Sequence, residues 1–281
     1  MKKIVFLFTV LMSTWTFQSQ IVTPQASPKC VLNQMVGLTD VEVEYSRPGV
    51  KGRNVFGDLV PFGKVWRTGA NANTTISFSE DVVIDGKTLK KGKYALFTLP
   101  KVESWEVIFY SKTDNWGNPE VWNDADVALR ASVVPQMLNR NVENFTIDFN
   151  NLDNNFGFLN ISWEKTLVSL KFEVPTQKMA LASIDKIMAG PSSGDYFSAA
   201  QFYLQSNGDL AIALNYVNKA LELNKATPFW YTKLKSLIQA KLGDKKGAIE
   251  TAKISLAAAK EAKNNDYVKM NEDNIAEWSK K

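Results

Sequence analysis

One segment of this chain concentrates the residue types that bind small ligands. It runs from Tyr45 to Phe78, and five cationic side chains stand among its glycines: Arg47, Lys51, Arg53, Lys64 and Arg67. A polar run rich in asparagine and threonine follows at 68–75. Guanidinium groups bind carboxylate or phosphate, glycines let the backbone approach a ligand, and amides and hydroxyls bind hydroxyl groups. The segment is therefore a candidate site for an anionic or hydroxylated ligand.

Six residues of this segment are the candidate ligand-binding residues: Arg47, Trp66, Arg67, Gly69, Asn71 and Thr75. In this hypothesis the arginines hold an anionic group, and Trp66 stacks on a sugar or an aromatic ring. A structural alternative stands beside it. The apolar residues of the loop can form a small core of their own, and its arginines can serve only to satisfy buried carbonyl groups.

The composition excludes several catalytic chemistries. The 281 residues include no histidine and one cysteine, Cys30. A Ser-His-Asp or Cys-His nucleophile system, an imidazole-based zinc site and an internal disulfide are therefore impossible. We expect no catalytic residues, no metal and no cofactor. The alternative is a hydrolase that needs no histidine and uses two carboxylates on envelope glycans. The candidate carboxylates are Glu80, Asp81, Glu106, Glu120 and Asp124.

A second cluster combines aromatic side chains with amides. Its rings are Trp105, Tyr110, Trp116 and Trp122, and asparagines lie between them. Flat apolar rings match the faces of sugars, so the cluster is a candidate carbohydrate platform. The alternative is that Trp105 lies in the core of a strand while the two later tryptophans fasten a loop.

The elements that must position these residues follow a period of two from about residue 31 to 174. Val41, Val43 and Tyr45 alternate with acidic residues, as in an antiparallel strand with one buried face. Further strands are predicted at 75–78, 82–84, 94–99, 105–110, 127–134, 143–149, 158–163 and 168–174. Asp85-Gly86 predicts a tight hairpin turn. The sequence therefore predicts an antiparallel β-sandwich or barrel-like domain over residues 26–175.

After Pro175 the period becomes helical, and residues 176–281 are predicted as an all-α domain. Helices are predicted at 179–188 and 198–206, and after Gly208-Asp209, Pro228 and Gly243-Asp244. The two Gly-Asp pairs start repeats of the length typical of tetratricopeptide hairpins. The fold class is therefore α+β multidomain: the β-rich domain followed by a tetratricopeptide-like helical array. Such helices bind a protein partner, cover the β domain or mediate self-association.

The first 20 residues predict export. Lys2 and Lys3 precede an apolar run, Ile4 to Met12, which is typical of a secretory signal peptide and too short to span a bilayer. Removal of this leader lowers the net charge from +4 to +2, so the charge gives no reason to expect nucleic acid as a partner. We expect no membrane span after cleavage, and a location in the periplasm or cell envelope.

The loop and the strands after it resemble a known family. The strings are SRPGVKGRNVFGDLVPFGKVWRTGAN and FSEDVVIDGKTLKKGKYALFTLP, followed by WEVIF and a later Trp116-Gly117. They are similar to the exported Bacteroidetes family grouped as domain of unknown function 2911, over about residues 26–174. The resemblance implies an envelope protein of a Gram-negative bacterium and carries no activity with it. Residues that match the family's motif positions are Arg47, Trp66, Arg67, Gly69 and Asn71.

Together these features favour a non-catalytic binding or assembly protein of the periplasm or envelope. Its β-rich domain would present the loop to a small anionic or glycan ligand, and its helices would contact a protein. A purely structural role for both halves is the third hypothesis.

Overall fold

The structure, a computed structural model, describes residues 23–187 and 190–280. The predicted signal peptide, residues 1–20, lies outside the described residues. In these ranges the strands are β1 (Lys29–Val36), β2 (Thr39–Ser46), β3 (Thr75–Phe78), β4 (Val82–Ile84), β5 (Lys87–Leu89), β6 (Gly92–Pro100), β7 (Trp105–Tyr110), β8 (Val127–Val133), β9 (Gln136–Asn150) and β10 (Phe156–Glu173). The helices are α1 (Thr176–Ile187), α2 (Ser193–Gln205), α3 (Leu210–Leu223), α4 (Phe229–Lys241), α5 (Lys245–Glu261) and α6 (Asn265–Trp278). The chain is therefore α+β, with its strands first and its helices after them.

The strands form two antiparallel sheets. One has the order β1-β2-β3-β6-β7-β8, and the other has the order β5-β4-β10-β9. Their buried residues belong to one hydrophobic cluster, in which Phe78 of the first sheet lies 5.8 Å from Phe172 of the second, ring centre to ring centre. The alternating residues Val41, Val43 and Tyr45 are buried in this cluster, as period two predicts.

Local sequence explains one hairpin and leaves one long strand unexplained. Asp85 and Gly86 both adopt positive φ and join β4 to β5 as a two-residue turn, as predicted. The prediction of separate strands at 158–163 and 168–174 is wrong, because β10 runs through both. Its pairing with β9 shifts register on either side of Glu164, whose φ is 53°. This bulge breaks the alternation that an uninterrupted strand would show.

Four of the six helices in the described ranges begin at side-chain caps. Asp209 and Asp244 accept hydrogen bonds from backbone N–H groups at the starts of α3 and α5, where both helices were predicted to begin. Ser192 and Asp195 form a capping box that starts α2 five residues before the predicted position. The sequence gives α6 no Gly-Asp signal, and Asn264 caps it. None of the helices in the described ranges is long and apolar enough to cross a membrane.

Candidate functional site

A cavity of about 370 Å³ opens beside the loop that follows β2, and three of its lining side chains are cationic: Lys51, Arg53 and Arg67. No aspartate or glutamate is among the described residues that line it. Within the described ranges, none of the three cations forms a salt bridge. Like charges held around one concave surface create a positive potential that attracts anions. The cavity is therefore suited to an anionic ligand.

The turn at 48–53 forms one wall of the cavity and is fastened to β9. The Val50 N–H donates to the Glu143 carbonyl (2.8 Å), and Pro48 accepts from the Phe145 N–H (2.9 Å). The Glu143 carboxylate accepts the Lys51 N–H at 2.9 Å, so one carboxylate lies beside the turn and is bound to its backbone. These bonds fix the backbone from which the cationic side chains project.

Arg53 is oriented by its own turn. Its Nε donates to the Val50 carbonyl (3.0 Å), and its Nη2 donates to the Gly49 carbonyl (2.6 Å). A guanidinium carries five N–H donors, so these two bonds leave others for a ligand. The charge of Arg53 is therefore held in place at the cavity without being neutralised by a carboxylate.

Another part of the cavity lining is aromatic. Trp66 exchanges two backbone hydrogen bonds with Thr98 of β6 (2.7 and 2.9 Å). Its ring stacks on Trp163 with centroids 5.8 Å apart and planes 14° apart, and it meets Phe145 and Phe56 edge-on. Trp66 is half-buried, and both tryptophans line the cavity. The aromatic cluster thus fixes the segment that carries Arg67.

The turn after Arg67 holds an unusual backbone. Thr68, Gly69 and Asn71 have φ of 56°, 144° and 60°. Positive φ is a genuine outlier for a β-branched residue such as Thr68, and costs on the order of 1–3 kcal/mol. The Thr68 carbonyl accepts a bond from the Thr74 hydroxyl at 2.6 Å, which helps to hold this conformation. Strained backbone of this kind clusters at functional sites, because the surrounding structure must be arranged to maintain it.

The structure brings together three of the six predicted site residues. Trp66, Arg67 and Gly69 line the cavity. Asn71 does not line it, but its carbonyl accepts from Arg67 Nη1 at 3.3 Å and its amide donates to the Ser27 carbonyl at 3.1 Å. Asn71 is thus placed to orient Arg67 and to tie down the chain before β1.

The other two predicted residues lie apart from the cavity lining. Arg47 donates from Nε to the Phe145 carbonyl (3.0 Å) and from Nη2 to the Thr146 hydroxyl (2.7 Å), so its guanidinium fastens β9. Thr75 is buried in β3, opposite Glu44 of β2. Arg47 has the role that the structural alternative assigned to the loop arginines.

Sequence reasoning did not select Trp163, although it forms part of the cavity wall. The sequence places Trp163 at the end of a predicted strand, but this position does not indicate which loop its ring contacts. Lys51 and Arg53 were recognised as members of the cationic loop, and the structure adds them to the lining residues. The ligand-binding role of all these residues stays a prediction.

Most rings of the second candidate site pack against other side chains of the protein and are not open to a ligand. Trp105 is buried, and Trp122 packs on Phe97 and Tyr110 at 5.4 and 4.8 Å between ring centres. Trp116 differs, because it is 75% exposed. The structure therefore provides one open indole in place of a platform of several rings.

Three of the five candidate carboxylates for hydrolysis, Asp81, Glu106 and Asp124, form ion pairs. Glu106 lies 3.0 Å from Lys101 and 3.1 Å from Arg130, and Asp81 lies 2.9 Å from Lys90. The hydrogen bond from Lys101, with that from Arg130, lowers the pKa of Glu106. A lowered pKa keeps a carboxylate ionised, which does not suit the acid of a glycoside hydrolase. Within the described residues, no group of three acidic or cysteine side chains is placed to hold a metal ion.

The fold and this site define an α+β protein with a cationic cavity on its β-rich half. Residues 27–172, more than half of the chain, match the family described as Protein of unknown function (DUF2911), and the chain belongs to that family. A search of the curated proteins and a search of the solved structures found no match.

Proposed function

We propose that this protein is a non-catalytic binding or assembly protein of the bacterial envelope, whose β-rich half binds a small anionic ligand in the cationic cavity. One observation carries the proposal: Lys51, Arg53 and Arg67 line a single cavity, and within the described residues none of their cationic groups forms a salt bridge. Holding three cations together without salt-bridge partners is unfavourable, and a bound anion relieves that repulsion.

Arg67 is the residue on which binding depends most. Among residues 23–187 and 190–280, its guanidinium has one hydrogen-bond acceptor, the Asn71 carbonyl at 3.3 Å, so most of its donors are available to a ligand. Hydrogen bonds to charged groups contribute about 1.5–3 kcal/mol each, which corresponds to roughly tenfold to a hundredfold in affinity. Arg53, in contrast, already uses two donors on its own turn.

The finer architecture belongs to the same proposal. A β-sandwich arrangement of the two sheets is part of it, and the support is that buried residues of both sheets belong to one hydrophobic cluster. Helices α3 and α5 repeat one unit: Asp209 and Asp244 both cap, and Ala213 and Ala248 are both fully buried. This repeated pattern supports a tetratricopeptide-like array.

Export and a protein partner complete the proposal. The signal-like leader and the resemblance to an exported Bacteroidetes family support a periplasmic or envelope location. The helical half leaves Trp230, Ile254 and Met270 exposed, which supports contact with another protein. Cell fractionation tests the location: full-length protein found only in the cytoplasm would contradict it.

The ligand hypothesis is tested by thermal-shift screening of the chain without residues 1–20. The panel contains inorganic phosphate, dicarboxylates, nucleotides and neutral sugars, and each is tested on the wild type, Arg67→Ala and Arg140→Ala. Arg140 is an exposed arginine on β9 that does not line the cavity. We expect anions to stabilise the wild type and Arg140→Ala, and to lose that effect in Arg67→Ala. An anion effect that persists unchanged in Arg67→Ala would contradict the proposal.

A carboxylate-dependent hydrolase is the second candidate, and one observation favours it. Asp40 and Glu42, two residues apart on β2, both line a shallow cavity of about 580 Å³ on the six-stranded sheet. Residues i and i+2 of a strand share a face, and their Cα atoms are roughly 7 Å apart, a spacing from which two carboxyl groups can reach the separation that inverting glycosidases use. Activity on envelope glycans that Asp40→Asn and Glu42→Gln each abolish would establish this function. If the wild type shows no activity on envelope glycans, the hydrolase hypothesis is wrong.

A further inference from the structure

The turn at 115–118 carries an exposed tryptophan and is fastened beside the cationic cavity. Trp116 is 75% exposed, whereas Trp105 and Trp163 of the β-rich half are 2% exposed. The Asn118 amide donates to the Val65 carbonyl at 2.8 Å, which ties the turn to the residue before Trp66. The position of this open indole is therefore set by the same segment that builds the cavity wall.

Gly117 brings the turn into direct contact with Arg67. A Cβ at Gly117 would lie 2.6 Å from Nη1 and 3.6 Å from Cζ of Arg67, so the guanidinium packs against the backbone of the turn. Gly117 also has φ of 85°, a conformation that residues with a side chain rarely adopt. Consecutive Cα atoms are about 3.8 Å apart, so Trp116 starts one residue from the place where Arg67 contacts the turn.

Trp66 and Trp116 differ in how much of the ring is open to a ligand. One face of Trp66 is covered by the stacked ring of Trp163, and its surroundings are filled by the edge-on rings of Phe145 and Phe56. Trp66 therefore offers a ligand little more than an edge. Trp116 has no aromatic partner within the described residues, and its exposure leaves its ring open to a ligand.

From this arrangement we propose that the ligand is a small anion whose charged group is attached to a flat ring. The charged group binds Arg67 in the cavity, and the ring stacks on Trp116 at the rim. This proposal rests on the anion-binding function proposed above and narrows it to a chemical class. Indole faces attract flat rings by dispersion and by their quadrupole. The cationic groups of Lys51, Arg53 and Arg67 bind the negative charge of the ligand.

Isothermal titration of the chain without residues 1–20 tests this with four probes: phenyl phosphate, inorganic phosphate, glucose 6-phosphate and phenol. Phenyl phosphate carries both features, and each of the others lacks the flat ring or the charge. We expect it to bind roughly two- to tenfold more tightly than the other two phosphates, and phenol to bind undetectably. Trp116→Ala should remove this preference and leave the affinity for inorganic phosphate unchanged. The matched control is Trp230→Ala, on α4, which should leave all affinities unchanged.

The outcomes separate the two proposals. Suppose that inorganic phosphate binds and that Arg67→Ala abolishes this binding. If phenyl phosphate then binds no more tightly than inorganic phosphate, or still binds more tightly in Trp116→Ala, the ring proposal is wrong and the anion site stands. If neither phosphate binds, both are wrong. Gly117→Ala provides a second check, because its new methyl group must displace the Arg67 guanidinium. We expect Gly117→Ala to lower the affinities for phenyl phosphate and inorganic phosphate by the same factor. Far-ultraviolet circular dichroism confirms that the variant is folded.

Discussion

Replacing Arg47 tests whether the loop arginines divide into structural and ligand-binding groups. Arg47→Ala removes two hydrogen bonds with a charged donor, at 3.0 Å to the Phe145 carbonyl and 2.7 Å to the Thr146 hydroxyl. The Phe145 side chain is fully buried, so these bonds fasten β9 where its inner face joins the core. Because the guanidinium is only half-buried, we expect a total loss of about 2–3 kcal/mol in the free energy of unfolding.

Urea unfolding followed by tryptophan fluorescence measures this loss. With a slope of about 2–3 kcal/mol per molar, the midpoint should fall by about 1 M urea and the slope should stay constant. Arg67→Ala loses one long bond to the protein and should cost less than about 1 kcal/mol. The exposed Arg140→Ala is the control and should change stability by less than about 0.5 kcal/mol. An Arg47→Ala midpoint equal to that of Arg140→Ala would refute the structural role of Arg47.

Two further predictions concern stability. Asp244→Ala removes the carboxylate that accepts the Gly247 N–H at 2.8 Å. In thermal unfolding it should lower the stability of the helical half by about 1 kcal/mol, whereas the exposed control Glu250→Ala should leave that stability unchanged. Burial raises the pKa of Tyr45 from 10.0 to about 12, although the Ile147 N–H bonded to its hydroxyl opposes this. The folded protein therefore holds the proton more tightly than the unfolded chain, so stability present below about pH 10 should be lost as the pH rises to 12. In urea unfolding over this range, Tyr45→Phe should show a smaller loss than the wild type, and an identical loss would contradict this prediction.

Local patterns predicted the elements better than they predicted the contacts between them. The strands at 75–78, 82–84 and 105–110 lie where the sequence predicted them. The strand at 82–84 alternates as a half-buried strand does, whereas the strand at 105–110 is buried on both faces. The Asp85-Gly86 hairpin also follows from local chemistry, since both residues tolerate positive φ. The bulge at Glu164 interrupts the period, so β10 could not be recognised as one strand from the sequence.

The candidate site was predictable in its composition and not in its geometry. The cationic loop and its glycines are visible in the sequence, and Trp66, Arg67 and Gly69 do line one cavity. Which arginine meets a ligand depends on pairing with distant strands. Arg47 is bound by residues of β9 almost 100 positions later, and no local signal encodes that contact.

Mapping phosphate binding onto the protein by NMR tests the central claim most directly. The chain without residues 1–20 is titrated with inorganic phosphate while backbone amide and arginine Nε–H resonances are recorded. We expect the shifts to concentrate at residues 48–53 and 66–70, with a large change at the Arg67 Nε–H, and to be absent from the same titration of Arg67→Ala. Saturable shifts confined to the helices, or no saturable shifts in the wild type, would contradict the proposal that the cationic cavity is an anion-binding site.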